Sequence, residues 1–427
     1  MELAKKDQIG LWLQSIFVFF LPLWQQVSVV SLIALVVFAI LSGKWKESFT
    51  LFKADKALWL FVSFYLIHVL GMFYSSNLSY GFFDLQVKLS YLLIPLVLSS
   101  LLILSHNLRI IKWSFILGNT LAGIICVLIA LSKYYKDGLF SHFFYIDFSH
   151  FLHTSYFSMY LNLSIIFLID EWLSKKSKNK LLSNAIPVLS LFLLYLVILL
   201  FARTALAVCY LSILLFLILK RKQWFPEKKK VFVLFSAGVF VLIFQLGALH
   251  FNNRFVQVEK AMESSNTAGN EISRTTDTSV SEEENSTSTR FKLWKNALLL
   301  IKQHPIVGVG TGDIKDELNA EYRSTGYEYG AKGDFNPHNQ YLHTMVMLGI
   351  AGISILLAYL IIPFRIAIMS RNWLYLSFLL IIILNSLTES ILEVQKGVLW
   401  VAFFQVLFYI NCKHQQDDRT MNVQKST

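Results

Sequence analysis

Cysteine and charge are both scarce in this sequence. Its 427 residues include only three cysteines, and none stands in a CxxC or other metal-binding spacing. Two of them, Cys126 and Cys209, fall inside apolar runs, where they are expected to be small apolar fillers. Asp-x-Asp pairs and His/Cys clusters with metal-ligand spacing are also missing. These absences disfavour a metal-dependent enzyme acting on nucleotide sugars, and neither a metal nor a cofactor is predicted.

Long apolar runs accompany the low charge. Charged residues make up 15% of the chain, fewer than in a soluble protein of this length, and hydrophobic residues make up 55%. About 20 apolar residues cross a bilayer as a helix. The pattern predicts an all-α polytopic membrane protein with about twelve transmembrane helices. They are placed at residues 8–24, 27–43, 57–74, 89–105, 113–132, 154–171, 184–201, 204–219, 231–249, 341–362, 373–388 and 397–411.

The basic residues indicate how these spans are oriented. The net charge is +11, and the basic residues cluster in short segments between apolar runs. They form no patch interleaved with aromatic residues, so nucleic acid is not an expected partner. The short segments on the two sides of the membrane hold 18 and 5 Lys and Arg residues. Because the basic side faces the cytoplasm, both termini are predicted to be cytoplasmic, with one long loop (residues 250–340) outside.

The long loop has three predicted parts. Residues 263–289 are rich in Ser, Thr, Asn and Glu and are expected to be flexible. Residues 290–303 predict an amphipathic helix at the membrane interface. Its predicted apolar face comprises Phe291, Trp294, Leu298 and Ile301. The GVGTGD that follows lacks the Lys-Ser/Thr of a phosphate loop and is predicted to be a sharp turn.

Two arginines on the outer side are candidate anion-binding residues. Arg203 stands between two apolar runs, and Arg290 begins the amphipathic helix. A guanidinium near lipid needs an anion, a carboxylate or water, and its planar fork suits phosphate oxygens. The alternatives are a turn residue that snorkels to the surface for Arg203 and an interfacial cation on lipid headgroups for Arg290.

The entrance of the tenth span is unusually polar. It reads NPHNQYLHTMVMLGIAG (residues 336–352), in which His338 is flanked by side chains able to orient its ring. The alternative is a plain helix start, with Asn336 or Asn339 as the cap. His343, five residues further on, is expected to tolerate substitution. A second polar entrance, SHFLHTSYFSMY (residues 149–160), is more simply explained by aromatic residues anchored at the interface.

Several motifs, taken in order, resemble the O-antigen ligase and O-antigen polymerase superfamily. PHNQYLHTMVMLGIAGI resembles the His-Asn-x-Tyr-Leu entrance of a late span, followed by Gly-x-x-Gly. ARTA (residues 202–205) resembles the family's mid-chain arginine. RFKLWKNALLLIKQHPIVGVGTGDI (residues 290–314) resembles its Arg-x-x-x-Trp helix, proline and Gly-x-Gly turn. LTESILEVQKGVLWVAFF (residues 387–404) resembles its Glu-rich entrance. The 263–289 stretch is not a feature of the family.

The resemblance implies a metal-independent glycosyltransferase with a GT-C-like helical fold in the bacterial inner membrane. Its implied donor is a glycan on undecaprenyl diphosphate at the periplasmic face, and its implied acceptor is a hydroxyl, which for a ligase belongs to the lipid A core or another surface anchor. It implies His338 as the catalytic base and a set of substrate-binding residues, namely Arg203, Arg290, Asn339 and Tyr341. The domains are then residues 1–189 (N-terminal helices), 190–360 (ligase-related domain with the long loop) and 361–427 (last helices and cytoplasmic tail).

Other functions share these motifs. An O-antigen or exopolysaccharide polymerase would use the growing glycan as acceptor, and a protein O-oligosaccharyltransferase would use Ser or Thr. A transporter of lipid-linked glycan belongs to another class, and it would need polar groups through the depth of the membrane. The charges gather instead at the outer ends of the spans, which favours an enzyme.

Overall fold

The computed structural model describes residues 5–102, 105–174, 180–220 and 286–426. Within these ranges the chain is all-helical, with no β-strand, as predicted. Residues 1–220 and 289–427 group into one compact unit. The second unit, residues 221–288, lies outside the described ranges apart from its last three residues.

The helices are numbered in chain order. The part before the gap contains α1 (Lys5–Phe20), α2 (Gln25–Leu41), α3 (Lys44–Ala54), α4 (Lys56–Met72), α5 (Leu78–Lys88), α6 (Ser90–Leu93), α7 (Ser105–Asp137), α8 (Tyr145–Phe148), α9 (Thr154–Leu173), α10 (Lys180–Leu199) and α11 (Arg203–Leu219). The part after it contains α12 (Ser286–Gln303), α13 (Ile314–Ser324), α14 (Glu328–Lys332), α15 (Gln340–Met369), α16 (Trp373–Asn385) and α17 (Gln395–Ser426).

Two of the described helices are long and apolar enough to cross a membrane, Leu108–Asp137 within α7 and Gln340–Met369. The number rises to four if two bent pairs, α2 with α3 and the helical stretch Leu78–Leu101, each count as one span. Helices occupy every predicted span except the ninth, residues 231–249, which lies outside the described residues. The total of twelve spans and the side of the long loop stay predictions.

A buried ion cluster aligns α9 with its neighbours. Asp170, near the end of α9, accepts a hydrogen bond from Lys112 of α7 at 2.9 Å and another from Lys220. Lys220 directly follows the last residue of α11. The two helices therefore finish at the same end of the bundle, and their first residues, Thr154 and Arg203, lie at the opposite end.

The GVGTGD segment packs into a break in α15. Gly349 interrupts that helix with a φ of 59°, and Gly308 and Gly310 form the predicted sharp turn with φ of 72° and 102°. Three backbone hydrogen bonds join the two segments, from Val309 to Val346 (2.9 Å), from Gly310 to Met347 (2.9 Å) and from Ile350 to Pro305 (3.0 Å). The turn thus satisfies carbonyl groups that the break leaves without helical partners.

The predicted faces of α12 are wrong in part. Leu293, Ala297 and Leu300 form its buried side, together with Ile301, and they pack in a core shared with α13 and α15. Phe291 and Leu298 are exposed instead, at 64% and 48% of their surface. The helix is apolar on two sides, so a single stripe does not describe it. Residues 286–289, the end of the predicted flexible stretch, belong to this helix, and the rest of that stretch lies outside the described residues.

Candidate active site

His338 is held in a tight turn directly before α15. Its backbone N–H donates to Asn336 Oδ1 at 2.8 Å, and Trp294 Nε1 of α12 donates to the carbonyl of Pro337 at 2.9 Å. His338 itself has a φ of 45°, in the left-handed region that few non-glycine residues adopt. The imidazole is therefore presented by a fixed turn, one residue before the helix cap.

Asn339 caps α15 and fastens it to the α16–α17 loop, residues 386–394. Its Oδ1 accepts from the backbone N–H groups of Tyr341 and Leu342, at 3.0 and 3.1 Å. Its Nδ2 donates to the carbonyl of Leu387 at 3.1 Å. Asparagine is among the best residues for this capping role. The helix start that carries His338 and the α16–α17 loop thus form one hydrogen-bonded piece.

The carboxylate of Glu389 in that loop joins three other elements. His338 Nδ1 lies 3.4 Å from its Oε2, and Arg290 Nη2 of α12 lies 3.4 Å from its Oε1. Ser155 Oγ, in the first turn of α9, donates to Oε1 at 2.9 Å. Glu389 is buried, whereas about a third of the His338 and Arg290 side chains is exposed. These four residues are called the Glu389 cluster below.

Glu389 determines which nitrogen of His338 is available for reaction. Burial raises the pKa of the Glu389 carboxyl, but the hydrogen bonds from His338 and Ser155 and the charges of His338 and His153 bring it below its ordinary value. An ionised carboxylate can only accept hydrogen bonds, so Nδ1 of His338 carries the proton. Whenever the ring is neutral, Nε2 holds a lone pair on a partly exposed imidazole, as a general base requires.

Further basic groups surround the cluster. Lys396 donates to the carbonyl of Phe151 at 2.8 Å, and it pairs with no carboxylate in the part of the chain that the structure describes. Burial lowers the pKa of Lys396. Burial also lowers the pKa of His153; Glu389 opposes this shift, and the charges of His338, Arg290 and Lys396 add to it. The surroundings are therefore electropositive and suit an anionic group.

Arg203 stands apart from this cluster. It is the exposed first residue of α11, at the end of the bundle where Ser155 and Glu389 lie. No hydrogen bond or ion pair between described residues joins it to the Glu389 cluster. The structure thus brings together His338 and Arg290 of the predicted site, and a phosphate contact by Arg203 stays a prediction.

The two other predicted substrate contacts already have partners within the protein. Asn339 is buried and makes the capping bonds described above. Tyr341 donates its hydroxyl hydrogen to the carbonyl of Ile383 at 2.9 Å. In this structure both side chains hold the helix entrance in place, and substrate contact by either stays a prediction.

Glu393, which lies four residues after Glu389 in the same loop, is the centre of a second cluster of polar side chains. Lys88 Nζ of α5 lies 2.5 Å from Glu393 Oε2 and 2.5 Å from Asp84 Oδ1. Gln340 Nε2 lies 2.5 Å from Glu393 Oε1, and His343 Nε2 lies 3.3 Å from Glu393 Oε2. These five residues are called the Glu393 cluster. Because His343 belongs to it and is buried, the expected tolerance of His343 to substitution loses its basis.

One group in the described residues has the geometry to hold a metal ion. Ligand atoms of His68, Asp84 and Glu393 all lie within 4.8 Å of one another. The sequence does not reveal this group, because its members come from three separate segments. The Lys88 ammonium lies against both carboxylates and neutralises one of their two charges, so this donor set already has a cationic partner within the protein.

The sequence contains a signal for Glu389 and Glu393, although neither was among the predicted site residues. They stand four residues apart between two apolar runs. Carboxylates at the entrance of a membrane helix need partners, which marks them as candidates. What the sequence does not contain is the identity of those partners, which come from α5, α9, α12 and the start of α15.

A comparison with known protein families covers part of the chain that carries this site. The family model for O-antigen ligase matches residues 188–357, a range that includes Arg203, Arg290 and His338. No curated protein matches the chain significantly in sequence. The similarity of residues 188–357 to that family supports the predicted resemblance of this chain to the O-antigen ligase superfamily.

Proposed function

We propose that this protein transfers a glycan from a lipid-linked donor to an acceptor hydroxyl. The family suggests a lipid-linked glycan transferase in polysaccharide biosynthesis, and the apolar helices together with the family suggest a membrane protein. The observation that carries the proposal is the Glu389 cluster, in which a carboxylate-oriented imidazole lies beside a guanidinium. That combination supplies a base and a fixed cation at one place.

The proposed reaction needs both groups. His338 Nε2 takes the proton of the acceptor hydroxyl as its oxygen attacks the anomeric carbon of the donor glycan. The bond from that carbon to the diphosphate oxygen breaks, and its electron pair leaves with the diphosphate. Arg290 neutralises the negative charge that develops there. The products are a new glycosidic bond, a free polyprenyl diphosphate and one proton on His338.

Arg290 must serve two anions in this scheme. In the structure its guanidinium pairs with Glu389 Oε1 at the long distance of 3.4 Å. A guanidinium has five N–H donors in a planar fork, so it can keep this contact and still bind phosphate oxygens. Lys396, which pairs with no carboxylate among the described residues, adds positive charge nearby. The proposed donor is therefore a diphosphate, and the predicted polyprenyl carrier is undecaprenyl diphosphate.

The proposed topology follows from the charge bias of the loops. The chain lies in the inner membrane with about twelve spans and both termini cytoplasmic, and the Glu389 cluster lies at the periplasmic ends of the helices. Support comes from Arg203, Thr154 and Gln340, each of which begins a helix at a loop that the bias places outside. The lipid tail of the donor would then stay in the membrane while its diphosphate reaches the cluster.

The acceptor separates the proposed ligase from its close alternatives. A ligase transfers the finished chain to the lipid A core. A polymerase adds it to another lipid-linked glycan, and a protein O-oligosaccharyltransferase adds it to Ser or Thr. All three use the same base and the same cation. Ligase activity is our first choice because the matching family model is that of O-antigen ligase.

The test uses purified protein in liposomes that contain a polyprenyl-diphosphate-linked glycan. Lipid A core, a second lipid-linked glycan and a Ser/Thr-rich protein are supplied separately as acceptors. The proposal predicts that one acceptor gains the glycan while an equal amount of polyprenyl diphosphate is released. Movement of intact donor across the bilayer with no release of diphosphate would instead identify a transporter.

A further inference from the structure

The buried Glu393 cluster has a composition that the proposed reaction does not use. It brings two carboxylates, Asp84 and Glu393, against the single ammonium of Lys88. The side chains of Asp84 and Glu393 are at most 7% exposed, and that of Lys88 has no solvent exposure. Ions removed from water are costly unless each has partners in good geometry. Such an arrangement in a lipid-embedded chain calls for an explanation beyond packing.

The balance of charge in this cluster depends on Glu393. Lys88 lies 2.5 and 2.7 Å from the two oxygens of Asp84, which stands four residues earlier in α5. Glu393 adds one negative charge from outside that helix. Burial opposes its ionisation, but the charges of Lys88 and His343 and the hydrogen bond from His343 hold the pKa of Glu393 well below its ordinary value. Glu393 is thus an ionised group that ties the α16–α17 loop to α5.

The α16–α17 loop also fixes the positions of the residues in the proposed reaction. Glu393 accepts from Gln340 Nε2 at 2.5 Å, and Gln340 Oε1 in turn accepts from the backbone N–H of Leu392 at 2.8 Å. Gln340 stands two residues after His338, and Glu393 stands four residues after Glu389. One ion pair therefore fixes both partners of the His338–Glu389 contact relative to α5. That contact is 3.4 Å long, so a small shift of the loop would break it.

We infer that Glu393 and Lys88 are positioning residues for transfer, whose ion pair sets the distance between Glu389 and His338. The inference rests on the proposed function, because it concerns the geometry of the same base. Neither residue touches the proposed substrate. Their effect is on how often Nδ1 of His338 is held by Glu389, and hence on the rate of proton removal and not on donor binding.

The molecule supplies a matched control for purely structural effects. Asp170 pairs with Lys112 and Lys220 in another buried ion cluster, with both Asp170 and Lys112 at 4% side-chain exposure. This cluster lies at the ends of α9 and α11 away from Ser155 and Arg203. Replacement of its carboxylate should disturb packing and charge in a comparable way, but at the end of α9 opposite to Ser155.

The experiment compares Glu393→Gln with Asp170→Asn in purified, liposome-reconstituted protein. Gln keeps the shape of Glu393 and leaves Lys88 paired with Asp84. Glu393→Gln is expected to lower kcat about tenfold, a part of what a general base contributes, with KM for the lipid-linked donor within about twofold. The acid limb of the pH–rate profile should also move, because the groups facing Glu389, namely His338, Arg290, Ser155 and His153, are rearranged. Asp170→Asn should lower the thermal midpoint but leave kcat within about twofold.

Glu393→Asp provides a second reading if the Gln variant does not accumulate. It keeps the charge but is one methylene shorter, so kcat should fall with KM unchanged, by less than in Glu393→Gln. Folded Glu393 variants with wild-type kcat, or with only the thermal loss seen in Asp170→Asn, would overturn the inference while leaving the proposed function intact. Absence of transfer by the wild-type protein would contradict the proposed function itself.

Discussion

At the scale of single residues, the ionised carboxylate of Glu389 is the group that we propose makes His338 a base. We predict that Glu389→Gln lowers kcat by about one to two powers of ten, a part of the two to four powers that a general base contributes. The amide presents no charge to the imidazole, so the acid limb of the pH–rate profile should move to lower pH. Rates measured between pH 5 and 9 check this, and an unchanged profile would contradict the role given to Glu389.

The same residue predicts how stability depends on pH. The pKa of Glu389 in the folded protein is below its ordinary value of 4.5. The stability that it contributes is therefore complete above about pH 4.5 and is lost as pH falls through the lower folded value. Wild-type protein should lose thermal stability in this acid range more steeply than Glu389→Gln. Parallel curves of thermal midpoint against pH would show that the carboxylate is not stabilised in the folded state.

The two arginines are predicted to act on the leaving diphosphate. Arg290→Ala should lower transfer by about two to three powers of ten, the scale of one lost transition-state contact. Lys at this position should restore only part of it, because an ammonium cannot bridge two oxygens. The same outcome is predicted for Arg203, although it does not contact the Glu389 cluster. Wild-type rates in both Ala variants would exclude a guanidinium clamp.

At the scale of elements, the local sequence predicts where a helix lies. It does not predict where that helix is interrupted. Apolar runs predicted most helices well, since length and composition are local properties. The break in α15 depends on carbonyl groups that are satisfied by residues 305–310, more than thirty positions earlier in the chain. The glycines of this helix, Gly349 and Gly352, permit a close approach by another segment, but they do not show that a turn, and not a second helix, fills the gap.

Pairings between distant elements were equally hidden. His338 and Glu389 are 51 residues apart in the chain, and no periodicity links them. The predicted face of α12 failed for a related reason, because the helix has apolar residues on two sides and only the fold decides which side is buried. The sequence could point to His338 and Arg290 as site residues, because each is a polar or charged residue at a boundary between a loop and a helix.

The break in α15 gives a prediction at this scale. A Cβ at Gly349 would lie 2.3 Å from the carbonyl oxygen of Ile306, and its φ of 59° with ψ of −153° adds about 1–3 kcal/mol of backbone strain in an L-residue. Gly349→Ala should therefore lower the thermal midpoint sharply. Gly138→Ala is the control, since Gly138 has a φ of 73° with no atom within 4 Å of an added Cβ. Equal decreases of the thermal midpoint in the two variants would show that the close approach of the turn to α15 does not contribute to stability.

At the scale of the whole molecule, the account depends on which side of the membrane the Glu389 cluster faces. The charge bias places the loop after α7 outside and the loop around α3 inside. A membrane-impermeant thiol reagent should therefore label Lys136→Cys in intact spheroplasts and spare Lys53→Cys, both being exposed positions. The native cysteines are buried and give little background. The reverse labelling pattern would overturn the periplasmic mechanism.

The most direct test of the central claim is the transfer rate of His338 variants in liposomes that contain lipid-linked donor. His338→Ala and His338→Asn should both lose about two to four powers of ten in kcat, while the proteins still insert and still bind the donor. Asn can preserve a turn before the Asn339 cap, but it cannot accept the proton from the acceptor hydroxyl. A His338→Asn variant that expresses normally and transfers the glycan at the wild-type rate would contradict the account.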